Sequence, residues 1–214
     1  VLLAAQGLQN KDIAQQLVSS TRFGRGPTVA LGGGRGEYTT VEQRDPEYDD
    51  KVGERLDERD LIAEWQQRHA GGTYVWNKRQ LDAAPADTPL LALFEPDHMQ
   101  FEHDRAKDAA GEPSLAEMTR AAIARLSRDQ DGYVLLVEGG RIDHANHYGN
   151  AYRALSDTVA MSDAVRSSNA FLSASVHQSS SLPSPLNVAP WSSNPCPISW
   201  PMTAPMPPKF SSGL

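Results

Sequence analysis

Apolar residues along this chain fall into short runs that alternate between strand-like and helix-like spacing. Ile13 and Leu17, four apart within Asp12–Val18, predict a helix. Thr28-Val29-Ala30-Leu31 reads as a strand that ends in Gly32-Gly33-Gly34, where the backbone can reverse sharply. Leu61 to His69 is helical by pattern, with Leu61, Ile62 and Trp65 on one side. Tyr74-Val75 is a short strand, and Leu90 to Phe94 is another that ends at Glu95. Ser114-Leu115-Ala116-Glu117 is a capping box opening a helix whose apolar face is Leu115, Met118, Ala122 and Leu126. Tyr133-Val134-Leu135-Leu136-Val137 has the length and β-branched content of a buried strand. A last helix is expected from about 148 to 165, with Ala151, Leu155, Val159 and Val165 facing the core. Strands and helices in this alternation predict an α/β fold: a central parallel sheet with helices on both faces. Sites in such sheets form at the carboxyl ends of strands, which is where Glu95 and Glu138 stand.

The pattern stops after Arg166. From Ser167 to Leu214 there is no Asp or Glu, Lys209 is the one basic residue, and nine of the fifteen prolines and thirteen serines fall there. Proline at that density removes backbone donors and forbids helix interiors, and little apolar surface is left to offset chain entropy. Two parts are therefore expected: a partial domain over 1–166, and a Pro/Ser-rich tail over 167–214. The tail is expected to be disordered and is read as a frame change or intron read-through, not as genuine coding sequence. Its apolar runs fall short of the ~20 residues a bilayer requires, and neither a signal peptide nor an anchor signal is expected in this chain.

Charge and cysteine content add limits. Residues 1–166 hold all 27 acids and 19 of the 20 bases, an acidic balance that argues against nucleic acid as a partner. The one cysteine, Cys196, lies in the tail, so no internal disulfide is available.

The chemistry concentrates in Val137–His147, V-E-G-G-R-I-D-H-A-N-H. A carboxylate leaves the expected strand at Glu138, two glycines let the chain turn, and Asp143 and His147 follow four apart. On a helix that spacing sets carboxylate and imidazole on one face. Carboxylate oxygen beside imidazole nitrogen suits Zn²⁺, and a lone Glu with water suits Mg²⁺. A bare D-x-x-x-H is also satisfied by an N-capping Asp and a surface His.

The undecapeptide resembles the metal-ligand turn of the alkaline phosphatases. Further segments match the animal branch of that family in order: Leu31-Gly32-Gly33-Gly34-Arg35, Asp45-Pro46-Glu47-Tyr48, Tyr74-Val75-Trp76-Asn77, Leu93-Phe94-Glu95-Pro96 and Pro113–Thr119. The resemblance covers roughly residues 10 to 166. It implies phosphate monoester substrates, hydrolysis through a phosphoserine intermediate, two zinc ions and one magnesium ion. It further implies a homodimer at the cell surface or outside the cell, membrane-anchored or secreted. By the same resemblance, Glu138 matches the magnesium-binding glutamate, and Asp143 and His147 match two of the three protein ligands of one zinc. His144 matches a histidine that supports the ligands, while Asn146 stands where the family often has another His. The family's nucleophilic serine sits in an Asp-Ser-Ala context, and no Asp-Ser-Ala occurs in these 214 residues. Nor does the family's Asp-His-Ser-His zinc segment. The chain alone is therefore expected to be inactive, and the alternative reading is a non-catalytic calcium- or metal-binding remnant.

A second set resembles the calcium site of the animal enzymes: Glu47, the backbone carbonyl of Phe94, Glu95, and Glu112 in place of the family's Asp, with a spacing from Glu95 about one residue longer. Oxygen-only ligands suit Ca²⁺. Other candidates read as ordinary surface: His98 and His103 in a solvated loop, Arg22 and Arg25 beside Gly24 and Gly26, and His177 in the tail. The glycine run lacks a following Lys-Ser or Lys-Thr, so nucleotide binding is not expected.

Overall fold

The computed structural model describes residues 9–19 and 26–178, with the helical backbone alone given for 170–178. Arg22 and Arg25, and the tail beyond residue 178, lie outside the described residues. Three parallel strands form the sheet: β1 (Val29–Gly32), β2 (Thr73–Val75) and β3 (Leu90–Leu93), ordered β1-β3-β2. Val29 and Thr73 both register with Leu90. Period-2 alternation along the central strand divides the core. Leu91 and Leu93 point toward α1 (Asn10–Ser19) and α2 (Leu61–Arg68), meeting Ala14, Val18, Leu61 and Trp65. Leu90, Ala92 and Phe94 point the other way, toward Leu81 of α3 (Lys78–Ala83) and Met118 of α4 (Leu115–Leu126). A strand buried on both faces explains the unbroken apolar run Leu90–Phe94. Helices on both faces of a parallel sheet is the architecture the sequence predicts.

Three helix starts have a side-chain cap written in the sequence. Asp60 accepts from the Ala63 amide at α2, and Asn77 from the Gln80 amide at α3. At α4 the capping box is complete: Ser114 Oγ accepts from the Glu117 amide at 3.2 Å, and Glu117 Oε2 accepts from the Ser114 amide at 2.8 Å.

Two expectations fail. Tyr133–Val137 is not a strand: it pairs with none of the three strands, and Val134 and Leu136 are 96% and 79% exposed. Apolar pattern supplies a strand's side chains but not its neighbours, and here no described strand lies alongside to take its hydrogen bonds. The second failure concerns α6 (Ala151–Gln178), which runs past Arg166 and so is longer than expected. Its buried positions are Ala154, Asp157 and Ala164, while Leu155, Val159 and Val165 are exposed. The helix lies on α4 and α5 (Arg141–His147) through small side chains that permit close approach. Its larger apolar residues sit on the opposite side.

Candidate functional site

The carboxyl ends of β1 and β3 are tied together by the glycine run. Gly34, Arg35 and Gly36 donate their amides to the carbonyls of Asp97, Glu95 and Pro96 at 2.6, 2.9 and 2.9 Å. Gly33 has no alternative, because a Cβ there would lie 2.3 Å from the Asp97 carbonyl, and Gly34 has a φ of 82°. This lacing presents Arg35 and Glu95 side by side at the carboxyl end of the sheet.

Arg35 then organises the loop. Its guanidinium is buried and donates twice to Asp45, at 2.7 and 2.8 Å, once to the Leu93 carbonyl at 2.9 Å, and once to Glu47 Oε2 at 3.2 Å. It also lies over the Trp76 ring, 5.6 Å from the centroid. Burial alone would raise the Asp45 carboxyl, but the Arg35 bonds and the amides of Glu47 and Tyr48 hold it below the usual carboxylate range. Asp-Pro-Glu-Tyr is thereby pinned over the strand ends, which delivers Glu47 to Glu95.

Among the described residues, Glu47, Glu95 and Asp108 each offer a carboxylate oxygen, all within 4.8 Å of one another. Oxygens bonded to one Ca²⁺ at about 2.4 Å lie no more than about 4.8 Å apart, a limit that these three meet. Glu47 is 6% exposed, and its Oε1 is buried. Burial first, then the facing Asp108, pushes the Glu47 carboxyl up to about 7. Without an ion, the raised Glu47 carboxyl faces Asp108 as a hydrogen-bonded pair of carboxyls, and a cation would take the place of the proton between them. The Tyr48 hydroxyl donates to Glu95 at 3.2 Å, and Gln100 Nε2 donates to Glu95 Oε1 at 3.0 Å. Phe94 is buried directly before Glu95 at the end of β3. Glu112 is buried nearby, but its Oε2 accepts the Gln100 amide at 3.0 Å and it does not join the three converging oxygens. Burial pushes its carboxyl up to about 8.

The second region is α5. Asp143 and His147 lie on one face as their spacing predicts, with Asp143 Oδ2 and His147 Nε2 3.4 Å apart. Both are about three-quarters exposed. Adjacent donors around a tetrahedral Zn²⁺, bonded at 2.0–2.2 Å, are separated by roughly 3.3–3.6 Å, so this pair is spaced as two zinc ligands are. An i,i+4 surface ion pair has the same spacing. Glu138, exposed after the unpaired segment, does not join Asp143 and His147 in a set of three converging ligand atoms. His144 Nδ1 lies 2.8 Å from Arg141 Nη1, and its ring packs on His98 with centroids 4.3 Å apart. Burial first, then His98 and Arg141, pushes the His144 imidazole down. His98 is thus a partner of α5 and His103 packs edge-on against Tyr152, so neither ring is merely solvated loop.

Sequence reading missed Asp108, Gln100 and the organising role of Arg35. The last had a signal, a lone Arg directly after a strand-ending glycine run. Asp108 had none, since it sits in an irregular loop among other acids.

Residues 3–180 match the family model for alkaline phosphatase. The tissue-nonspecific isozyme of alkaline phosphatase from Rattus norvegicus is 42% identical over 162 residues, covering 72% of this chain and 30% of that one. A membrane-bound alkaline phosphatase from Bombyx mori is 42% identical over 156 residues, 70% of this chain and 28% of its own length. The crystal structure of Thermus thermophilus alkaline phosphatase superimposes with a TM-score of 0.61 at 34% identity, covering 79% of this chain and 31% of that one. The chain therefore spans about 30% of the length of the curated relatives it matches. On the family match, the relatives and the shared fold together, this chain belongs to the alkaline phosphatase family.

Proposed function

We propose that this chain carries part of the metal centre of a phosphate monoesterase, with Asp143 and His147 as ligands of one zinc and Glu138 as a magnesium ligand. The observation that carries the reading is the 3.4 Å spacing of Asp143 Oδ2 and His147 Nε2 on one face of α5, in a chain of the alkaline phosphatase family. When bound, such ions supply Lewis-acid and water-activating chemistry to phosphoryl transfer. The chain's own part is to hold two donors at that spacing, with His144 fixed on the same helix by Arg141 and His98. Phosphate monoesters are the substrates this reading implies, and a cell-surface homodimer is the setting it implies. Among the described residues, no helix is long and apolar enough to cross a membrane.

Residues 1–214 alone should be inactive, because two zinc ligands and one magnesium ligand cannot assemble a two-metal clamp without a nucleophile. Purified chain should release no more p-nitrophenol from p-nitrophenyl phosphate than its Asp143→Ala variant. The ligand assignment is tested by NMR of the histidine ring protons. Added Zn²⁺ should shift the His147 resonances, and Asp143→Ala should weaken that shift. Equal responses in the two proteins would refute the assignment.

A second reading, a calcium- or metal-binding site with a structural and non-catalytic role, is favoured by the buried Glu47 carboxyl and the Asp108 that faces it. Its ligands would be Glu47, the Phe94 carbonyl and Glu95, with Glu112 as the fourth position that the resemblance implies. Both readings can hold in one chain, since the two sites use different residues.

A further inference from the structure

We propose that Asp157 is a positioning residue. From the buried face of α6 it holds the Arg141 side chain in place and, through Arg141, fixes His144 on the helix that carries Asp143 and His147. What this means for a metal rests on the reading of Asp143 and His147 as ligands, while the link between Asp157 and Arg141 does not.

Phe101 is a wedge between the two helices. Its ring packs in one buried cluster with Ala145 of α5 and Ala154 of α6. Arg141 stands one turn before Ala145 and Asp157 one turn after Ala154, so each lies on the helix face that meets Phe101. The Arg141 guanidinium sits over the Phe101 ring, 3.8 Å from the centroid. The next amide along the chain, that of Glu102, donates to Asp157 Oδ1 at 3.4 Å.

An acid in such a place needs a cation. Asp157 is 8% exposed, and its Oδ2 is buried with no hydrogen-bond partner among the described residues. Burial, then the Glu102 carboxylate, raises the Asp157 carboxyl, against the Glu102 amide and the charges of Arg141 and Arg153. Of those two cations, Arg153 is already gripped by Asp104, at 2.6 and 2.8 Å. Arg141 is the mirror of Asp157: its Nε is buried without a partner, and its Nη1 meets His144 Nδ1 at 2.8 Å. One buried acceptor and one buried donor of opposite charge are thus left to each other across the wedge. An attraction that lowers the acid also steadies the guanidinium. An arginine can only donate, so His144 Nδ1 accepts, and the ring is oriented by whatever orients Arg141.

The test is side-chain NMR of the 1–214 chain, metal-free and then with ZnCl₂, in wild type and Asp157→Asn. Asn can still accept the Glu102 amide, so the variant removes the charge and little else. A side chain stacked on a ring has its protons shifted upfield. In Asp157→Asn that shift should fall by about half or more for Arg141, and stay unchanged for Arg153, which lies over the same ring at 4.9 Å but is held by Asp104. Zn²⁺ affinity read at His147 should weaken about threefold or more. Loss of both arginine shifts would make Asp157 a packing residue of the α5–α6 contact, and loss of neither would make it idle; either overturns the proposal. A loosened Arg141 with Zn²⁺ affinity unchanged overturns its reach to the ligand helix. Where Asp157→Asn does not fold, Arg141→Gln decides through the ¹³C resonance of the Asp157 carboxyl. That resonance should titrate at higher pH than in wild type once the cation is gone, and an unchanged midpoint overturns the proposal. A wild-type His147 that ignores Zn²⁺ removes the ligand assignment, while the arginine signals still decide the role of Asp157.

Discussion

Arg35 grips Asp45 with two nearly equal hydrogen bonds, Nε to Oδ2 at 2.7 Å and Nη2 to Oδ1 at 2.8 Å, and both side chains are buried. The fork requires a planar guanidinium, which an ammonium cannot imitate. Arg35→Ala leaves Asp45 buried without its cation, held only by the Glu47 and Tyr48 amides, and should cost about 3 kcal/mol in urea unfolding. Arg35→Lys should recover only part of that loss. Full recovery by Lys would show that charge alone, and not the fork, holds the loop.

Asp104 links the Arg105–Lys107 turn to α6, accepting from Lys107 at 2.8 Å and from Arg153 Nε at 2.8 Å. The Lys107 bond, joined by Arg153, holds its carboxyl below the usual range, against a burial effect that raises it. A depressed folded value means that the stabilisation is present above the unfolded carboxylate value, near 3.9, and is lost as pH falls through the lower folded one. Asp104→Asn should therefore cost about 1 kcal/mol at pH 6 and progressively less below pH 4, since the partners are partly exposed. A variant deficit that stays constant down to pH 2.5 would contradict this.

Core and extended segment should respond in opposite ways. Trp65 is fully buried on α2, so Trp65→Ala should cost about 3–5 kcal/mol. Val134 is 96% exposed, so Val134→Ser should change stability by less than about 0.5 kcal/mol. A large loss at Val134 would mean that Tyr133–Val137 is packed in solution.

The capping box at α4 gives a smaller, local check. Ser114→Ala removes the acceptor for the Glu117 amide and should destabilise by about 1 kcal/mol. Glu117 also pairs with Lys78 at 3.1 Å, so Glu117→Ala should cost at least as much as Ser114→Ala.

Much of this fold was legible because period and capping are local properties. Leu90–Phe94 announced a strand, Ser114–Glu117 a helix start, and Asp143 with His147 a shared helix face. The sequence misled where the answer depended on neighbours. Tyr133–Val137 has a strand's composition but no partner strand among the described residues. Leu155 and Val159 look like a core face, yet α6 packs through Ala154 and Ala164, because close helix contact favours small side chains over greasy ones. The acidic cluster was legible in two of its three members. Glu47 and Glu95 lie in motifs, whereas Asp108 reaches them by the path of an irregular loop that no periodicity encodes.

Asp143 and His147 as metal-ligand positions of a phosphate monoesterase are best tested inside a complete enzyme. The most direct measurement grafts residues 10–166 in place of the matching segment of the Rattus norvegicus relative, which is 42% identical over 162 residues. The chimera should hydrolyse p-nitrophenyl phosphate, and His147→Ala or Asp143→Ala should lower kcat on the order of 100-fold or more. An active chimera whose rate is unchanged by either substitution would contradict it.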